Sequence, residues 1–202
     1  MSDQPNLQPR LRAQAEEILR RQLWTTERQE LLTRCWTHHD VQWFMAVAAE
    51  YGTEAANRLN QVATHAIGKA EAKQVVMALG LSAPTCLDEY LVVQEVLIAL
   101  LEPELFGYRV TKTGDGEYQV HVQRCCARES AVRAGIVNDS ACSVCPRLTG
   151  WLEAFGLSYR SESTPGKCAA ANGQACVHTV TLEHRSPATL REAVRFAPHA
   201  SL

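Results

Sequence analysis

Apolar residues recur at helical spacing through the first hundred positions of the chain. From 11 to 23 they stand three or four positions apart, with charged residues between them, which predicts an amphipathic helix. The same pattern predicts four further helices: one that begins at Thr25 or Thr26, one over Val41 to Tyr51, one from Thr53 to Gly80 with Gly68 as a point of interruption, and one from about Leu87 to Leu101.

The period changes to two near Leu105. Apolar and polar residues alternate on both sides of Gly114-Asp115-Gly116, which predicts a β-hairpin. Two short helices are expected next, at "ARESAVRAG" and "CPRLTGWLEAFG", and two more strands at "LSYRSES" and "VHTVTLEH". Together these elements predict an α+β fold, in which a helical N-terminal half is followed by a four-stranded antiparallel sheet with helices on one face.

Pro103 marks the predicted boundary between two regions. Residues 1–103 form the helical region and residues 104–202 form the α+β region, and the two could share one compact core. A further short helix is expected in the tail after His184, at "PATLREAVRF".

The composition limits the classes of function. The chain has 202 residues and a formal charge of -2, which argues against nucleic-acid binding through a broad basic face. Its longest apolar run, Tyr90 to Leu101, is too short to span a bilayer, and its polar N-terminus lacks the apolar core of a signal peptide. We therefore expect a cytoplasmic protein that binds neither nucleic acid nor membranes.

The cysteines are the clearest candidates for chemistry. Four of the eight lie between 142 and 176, as Cys142 and Cys145 at the start of a predicted helix and Cys168 and Cys176 around the following loop. Two pairs of thiols from two loops are the usual origin of a tetrahedral sulfur site for zinc. A helix N-terminus lowers a thiol pKa, which would also suit a redox dithiol. A 4Fe-4S cluster uses the same ligands, so the spacing leaves zinc and iron–sulfur both open.

Two more thiols enlarge the set of ligands. Cys125 and Cys126 close the second hairpin strand, so any four of six cysteines could bind the metal. The alternative interpretation of Cys35, Cys86 and one of the adjacent pair is that they are small apolar residues of the core. His121 and His178, both in predicted strands, are weaker candidates for metal ligands or for neighbours of the ligands. His65 lies on an apolar helix face and is expected to be a core residue.

The stretches "CPRLTGWLEAFGLSYRSES" and "KCAAANGQACVHTVTL" resemble the end of the 4-vinyl reductase domain, which is also the sensor module of phenol-responsive transcription activators. The resemblance implies a structural zinc beside a small-molecule pocket. In it, Cys145, Cys168 and Cys176 match the three thiols and Glu162 is the nearest candidate for the acidic ligand, while Cys142 offers a fourth thiol.

The whole chain also resembles a group of uncharacterised prokaryotic cytosolic proteins related to L-2-amino-thiazoline-4-carboxylic acid hydrolase. Their helical half carries a pattern like "DVQWFMAVAAEYGTEAANRLNQ". This second resemblance matches the thiols to Cys125, Cys142, Cys168 and Cys176, so the two resemblances differ on Cys125 and Cys145.

The stretch "CWTHHDVQWF" contains the candidate ligand-binding residues. Asp40, Trp43 and Phe44 are near neighbours on a helix, where the aromatic rings could floor a pocket. The alternative is a helix junction at His38-His39-Asp40, with Asp40 as the N-terminal cap and the aromatic residues in the core.

Three functions remain open from the sequence. The first is a binding module for a small-molecule ligand, with a mainly structural metal, acting as a homodimer. The second is an iron–sulfur protein for electron transfer or redox sensing. The third is a hydrolase or reductase acting on a small cyclic substrate, which only the resemblance suggests. The chain carries no nucleotide-binding fingerprint and no nucleophile elbow that would favour a particular reaction.

Overall fold

A computed structural model describes residues 8–22, 24–100, 106–162, 168 and 174–183. The chain divides into two compact units, residues 1–43 and 44–202. The predicted boundary at Pro103, the predicted helix after His184 and the loop around Gly166 and Gly173 lie outside the described residues. None of the helices described is long and apolar enough to cross a membrane.

Four helices make up the N-terminal part: α1 (Gln8–Gln22), α2 (Thr25–Tyr51), α3 (Thr53–Ala78) and α4 (Leu87–Leu100). The predicted junction at His38-His39-Asp40 is wrong, because α2 runs through it without a break. Asp40 caps no helix there; its Oδ1 lies 3.5 Å from Nδ1 of the neighbouring His39, and both side chains are exposed. The junction lies instead at Gly52, whose φ of 85° favours glycine.

The predicted sheet is confirmed as a four-stranded antiparallel sheet in an α+β fold. Its strands are β1 (Phe106–Gly114), β2 (Glu117–Cys125), β3 (Tyr159–Ser161) and β4 (Cys176–Leu182), in the order β1-β2-β4-β3. The β1–β2 hairpin turns at Asp115 and Gly116, where the φ of Gly116 is 78°. Helices α5 (Cys126–Arg133) and α6 (Val144–Ala154) lie between β2 and β3 in the chain.

The core of the second unit joins helices from both predicted regions to the sheet. Tyr118 and Val120 of β2 point to the same face because they are two residues apart, and Val180 of β4 pairs with Tyr118. These side chains pack with residues of α3, α4 and α6, namely Ala72, Val76, Leu87, Tyr90, Val93, Leu97, Ile98, Leu148, Trp151 and Leu152. The helical residues 53–100 therefore share one hydrophobic core with the sheet.

Helix α6 is held against α3 by close packing and by polar contacts. Gly68 does not interrupt α3 but lies where the backbone of Arg147 approaches. The Arg147 guanidinium pairs with the Glu71 carboxylate, with Nε donating to Oε2 at 2.8 Å, and Trp151 Nε1 donates to the same oxygen at 3.3 Å. These contacts fix the position of α6, and with it the cysteines at its N-terminus.

A cysteine cluster as the candidate functional site

Strand pairing brings two cysteines to the same end of the sheet. Cys176 is the first residue of β4 and stands opposite Val122 in the antiparallel register. Cys125 is the last residue of β2, three positions beyond Val122, and pairs with Phe106 of β1. The pairing of β2 with β4 therefore places Cys125 at the end of β2 that lies beside the start of β4.

Two further segments meet this end of the sheet. Cys142 lies just before Ser143, the residue at the N-terminal cap of α6, and Cys145 is the second residue of that helix. Both positions are as the sequence predicted. The backbone N–H of Cys168 donates to the carbonyl of Ser140 at 3.1 Å. This hydrogen bond ties the segment at Cys168 to the residues that lead into Cys142.

The electrostatics of the thiols show that these segments converge. Burial, followed in decreasing order by the thiols of Cys142, Cys168, Cys125 and Cys145, raises the pKa of Cys176 to about 12. Each of the four is therefore close enough to interact with Cys176. We call these five residues, Cys125, Cys142, Cys145, Cys168 and Cys176, the cysteine cluster.

The helix N-terminus does not lower the pKa of Cys142, contrary to the expectation from sequence. Burial raises this pKa to about 11, and hydrogen bonds from the backbone N–H groups of Cys145 and Val144 offset only part of the effect. Burial also raises the pKa of Cys125 and of Cys126. Thiols of this kind are protonated at neutral pH and are poor nucleophiles, which disfavours a redox dithiol.

The cluster has the donor chemistry of a soft-metal site without its close geometry. Soft thiolate ligands suit zinc and iron–sulfur clusters. Within the described part of the chain, however, no three His, Cys, Asp or Glu side chains form a group that could hold a metal ion. Metal binding would therefore require the cysteine side chains to draw closer together around the ion.

Of the other candidate metal ligands, His178 lies beside the cysteine cluster. His178 is buried, its Nε2 lies 3.5 Å from Sγ of Cys176, and burial lowers its pKa. His121 is half-buried in β2, one residue before Val122. Glu162 has an exposed side chain, and its backbone N–H donates to the carbonyl of Thr179 at 3.0 Å.

Three expectations about buried residues are wrong. Cys35 and Cys86 are exposed rather than part of the core. His65 is half-buried and its Nε2 lies 3.2 Å from Oε1 of Glu153. For Cys35 and His65 the local apolar pattern did not identify which face of the helix packs against other elements, and Cys86 lies just before α4.

The candidate ligand-binding residues Asp40, Trp43 and Phe44 all lie on α2. The side chains of Asp40 and Trp43 are exposed, and that of Phe44 is half-buried. Their role in binding a ligand stays a prediction.

A buried polar group in the core was missed by the sequence reasoning. Tyr90, Gln94 and Tyr118 are all fully buried, and the Tyr118 hydroxyl donates to Gln94 Oε1 at 3.1 Å. Gln94 Nε2 has no hydrogen-bond partner within the described residues, whereas Tyr90 interacts with Tyr118: burial, followed by the Tyr118 side chain, raises the pKa of Tyr90. The available signal was Gln94 itself, a polar residue within the apolar run of α4.

Comparisons with known proteins find one distant structural similarity. No protein-family model and no curated protein matches the chain. Among solved structures, it is similar to the crystal structure of a trafficking protein particle complex subunit 3 from Naegleria fowleri covalently bound to palmitic acid, with a TM-score of 0.48 and 15% sequence identity. The match covers 78% of this chain and 96% of that chain. A similarity of this degree assigns no activity, ligand or partner here.

Proposed function

We propose that the chain is a cytoplasmic small-molecule binding protein whose cysteine cluster holds one zinc ion in a mainly structural role. The observation that carries this proposal is the convergence of five cysteines from four separate segments at one end of the sheet. Four thiolates are a sufficient ligand set for a closed structural zinc site.

The proposed role of the metal follows from the chain around Cys168 and Cys176. The sequence "STPGKCAAANGQA" before Cys176 contains no large apolar side chain, so this segment cannot be held by hydrophobic burial. A metal bound to Cys168, Cys176 and the cysteines of α6 would tie it to the sheet. Zinc binding of this type contributes directly to the free energy of folding, about 10 kcal/mol or more for small zinc domains at neutral pH.

The raised thiol pKa values support a cation rather than a nucleophile. Several half-buried thiols in one place lose their protons readily when a positive charge compensates the resulting thiolates. A bound metal ion supplies that charge and deprotonates its ligands. His178 lies beside Cys176 and would act as a neutral neighbour that orients this ligand.

The proposed ligand pocket rests on the buried polar group of Tyr90, Gln94 and Tyr118. An unpaired buried polar atom costs free energy, so Gln94 Nε2 offers a hydrogen bond to a small bound molecule, beside the hydroxyl groups of Tyr90 and Tyr118. The thiol of Cys145 is close enough to raise the pKa of Tyr118, which relates this group to the cysteine cluster. A small uncharged molecule with a hydrogen-bond acceptor fits these donors, since no charged side chain is among them.

Metal analysis of anaerobically purified protein, with its visible spectrum, tests the metal. We expect one zinc per chain and no colour. Cys168→Ser and Cys176→Ser should each lose the metal, because a hydroxyl is a far weaker soft-metal ligand than a thiolate. The exposed Cys35→Ser and Cys86→Ser are matched controls that should keep it.

The other outcomes decide between the alternatives. A brown protein that contains iron and sulfide would show that the cysteines hold a 4Fe-4S cluster and not zinc. That result would favour electron transfer or redox sensing. A metal-free wild-type chain that folds normally would overturn both. Turnover of a small cyclic substrate would establish the hydrolase or reductase alternative. The proposal also includes a homodimer.

A further inference from the structure

The first unit carries large apolar side chains on its outside. Helix α2 has 27 residues and none of them is buried. Trp24 is 79% exposed, Trp36 60% and Trp43 46%, whereas Trp151 of the second unit is buried in the core. Large apolar side chains exposed together on a surface are typical of interaction sites.

The exposed side chains of α2 form a seam along one face. Leu32, Trp36, His39 and Trp43 follow one another at spacings of four, three and four residues. This is the spacing of the core positions of a coiled coil. The rings of Trp36 and His39 already meet edge to face, with 5.6 Å between their centroids. We call these four residues the α2 seam.

We propose that the α2 seam packs against the same seam of a second copy of this chain. This interface rests on the proposed homodimer but not on the proposed metal. Helices gain most of their stability from packing an apolar face, and neither α1 nor the α2 residues of this unit include a buried side chain among those described. A partner surface would supply the burial that these helices lack.

The available area suits a dimer. Covering one tryptophan removes roughly 150–250 Å² from solvent. Together with four exposed aliphatic side chains of the first unit, the three partly exposed tryptophans carry on the order of 700 Å² of exposed surface, close to the share of one partner in an interface of standard size. The aliphatic residues are Leu11, Ile18, Leu19 and Leu32.

The charges favour an identical copy over a strongly charged partner. Residues 11–43 contain five arginines, no lysine and five acidic residues, so two such segments carry no net repulsion. The seam itself contains no Arg, Lys, Asp or Glu. Its polar member, His39, occupies a core position, where a polar side chain fixes the register of paired helices at some cost in stability.

Sedimentation equilibrium of the full chain tests the interface. We expect the wild type to dimerise and the Leu32→Gln/Trp36→Gln double variant to associate at least about a hundredfold more weakly, since two large contacts are lost from each copy. Arg34→Gln/His38→Gln is the matched control, because these exposed residues lie on the other side of α2. It should dimerise like the wild type. Circular dichroism checks that all three chains keep their helices.

Tryptophan emission of the wild type provides a second measurement that needs no variant. Dilution through the dissociation range should shift the emission to longer wavelength as Trp36 and Trp43 become exposed. A wild-type dimer that the seam variant leaves intact would overturn the interface but keep the homodimer. A wild type that is monomeric at every concentration would overturn both the seam interface and the homodimer. This holds whether its tryptophans are then shielded by the same chain or open to another protein.

Discussion

Gly150 of α6 lies directly against the backbone of α3 at His65: a Cβ atom at Gly150 would stand 2.4 Å from the His65 carbonyl oxygen. The approach is reciprocal, because a Cβ at Gly68 of α3 would stand 2.5 Å from the carbonyl oxygen of Arg147. The two helices therefore meet backbone to backbone, with no side chain between them. The crossing positions α6, whose N-terminus carries Cys142 and Cys145.

We predict that Gly150→Ala destabilises the protein although alanine favours helices. Alanine would gain about 1 kcal/mol in an exposed helix, but here the backbone of α3 must move away, and overpacking of this kind costs about 1–3 kcal/mol or more. Urea unfolding measures the difference. Ala66→Gly on the exposed side of α3 is the control, and it should lose only about 1 kcal/mol through helix propensity. Equal or higher stability of Gly150→Ala would contradict the close crossing.

The helices and the hairpin could be predicted because their signals are local. Amphipathic periods locate α1, α3 and α4, and Gly114-Asp115-Gly116 locates the hairpin turn. Gly68 was misinterpreted as an interruption because its reason is tertiary: it admits the backbone of α6, and no local pattern reports a neighbour 79 residues away at Arg147. The same limit applies to His38-His39-Asp40, where polar residues tolerated on the exposed side of α2 resembled a junction.

The convergence of the cysteines could be predicted in part. Hairpin geometry and strand order place Cys125 near Cys176, and the helix start places Cys142 beside Cys145. The direction of the pKa shift at Cys142 could not be predicted, because the sequence shows the favourable N–H groups of the helix start but not the burial that outweighs them.

Thiol labelling should separate the cysteine cluster from the exposed cysteines. We predict that, in the protein as purified and without a chelator, iodoacetamide modifies the exposed Cys35 and Cys86 well before the half-buried Cys142 and Cys176 at pH 7. The thiolate is the reactive species, and burial raises the pKa of Cys142 to about 11 and that of Cys176 to about 12. Mass spectrometry of peptides at timed intervals measures each rate. Modification of Cys142 as fast as Cys35 would count against a buried, protonated cluster.

The buried polar group of the core predicts a non-additive pair of substitutions. Gln94→Leu alone removes the acceptor of the Tyr118 hydroxyl and should cost about 1–3 kcal/mol, because a buried donor is left unpaired. Tyr118→Phe alone should cost a similar amount by leaving Gln94 Oε1 unpaired. The double variant removes both groups and should be close to the wild type in stability.

Urea unfolding of the four chains forms the double-mutant cycle. Thermal shift with small uncharged cyclic compounds, run on the same chains, tests the proposed pocket: compounds that stabilise the wild type should not stabilise Gln94→Leu. If the two single costs simply add in the double variant, Gln94 and Tyr118 are not coupled through the hydrogen bond of 3.1 Å.

The last prediction concerns acid, and it centres on Glu153 of α6. Burial alone would raise the pKa of this carboxyl, but hydrogen bonds from Lys69 and His65, followed by that from Tyr159, outweigh burial and hold the pKa below its ordinary value. A carboxyl whose pKa is lower in the folded chain contributes stability above the pKa of the unfolded chain. That contribution is lost as the pH falls through the folded pKa.

We therefore expect wild-type stability to fall as the pH is lowered from about 5 to 3, and Glu153→Gln to lose less over the same interval, since glutamine cannot titrate. The difference in lost stability between the two chains should stay below about 1 kcal/mol for each hydrogen-bond partner of Glu153, because Glu153 and Lys69 are partly exposed to solvent. Urea unfolding at several pH values measures it. Glu162→Gln, an exposed site on another element, is the control and should follow the wild type. Identical pH profiles for wild type and Glu153→Gln would mean that the contacts of Glu153 with α3 and Tyr159 do not stabilise the folded chain.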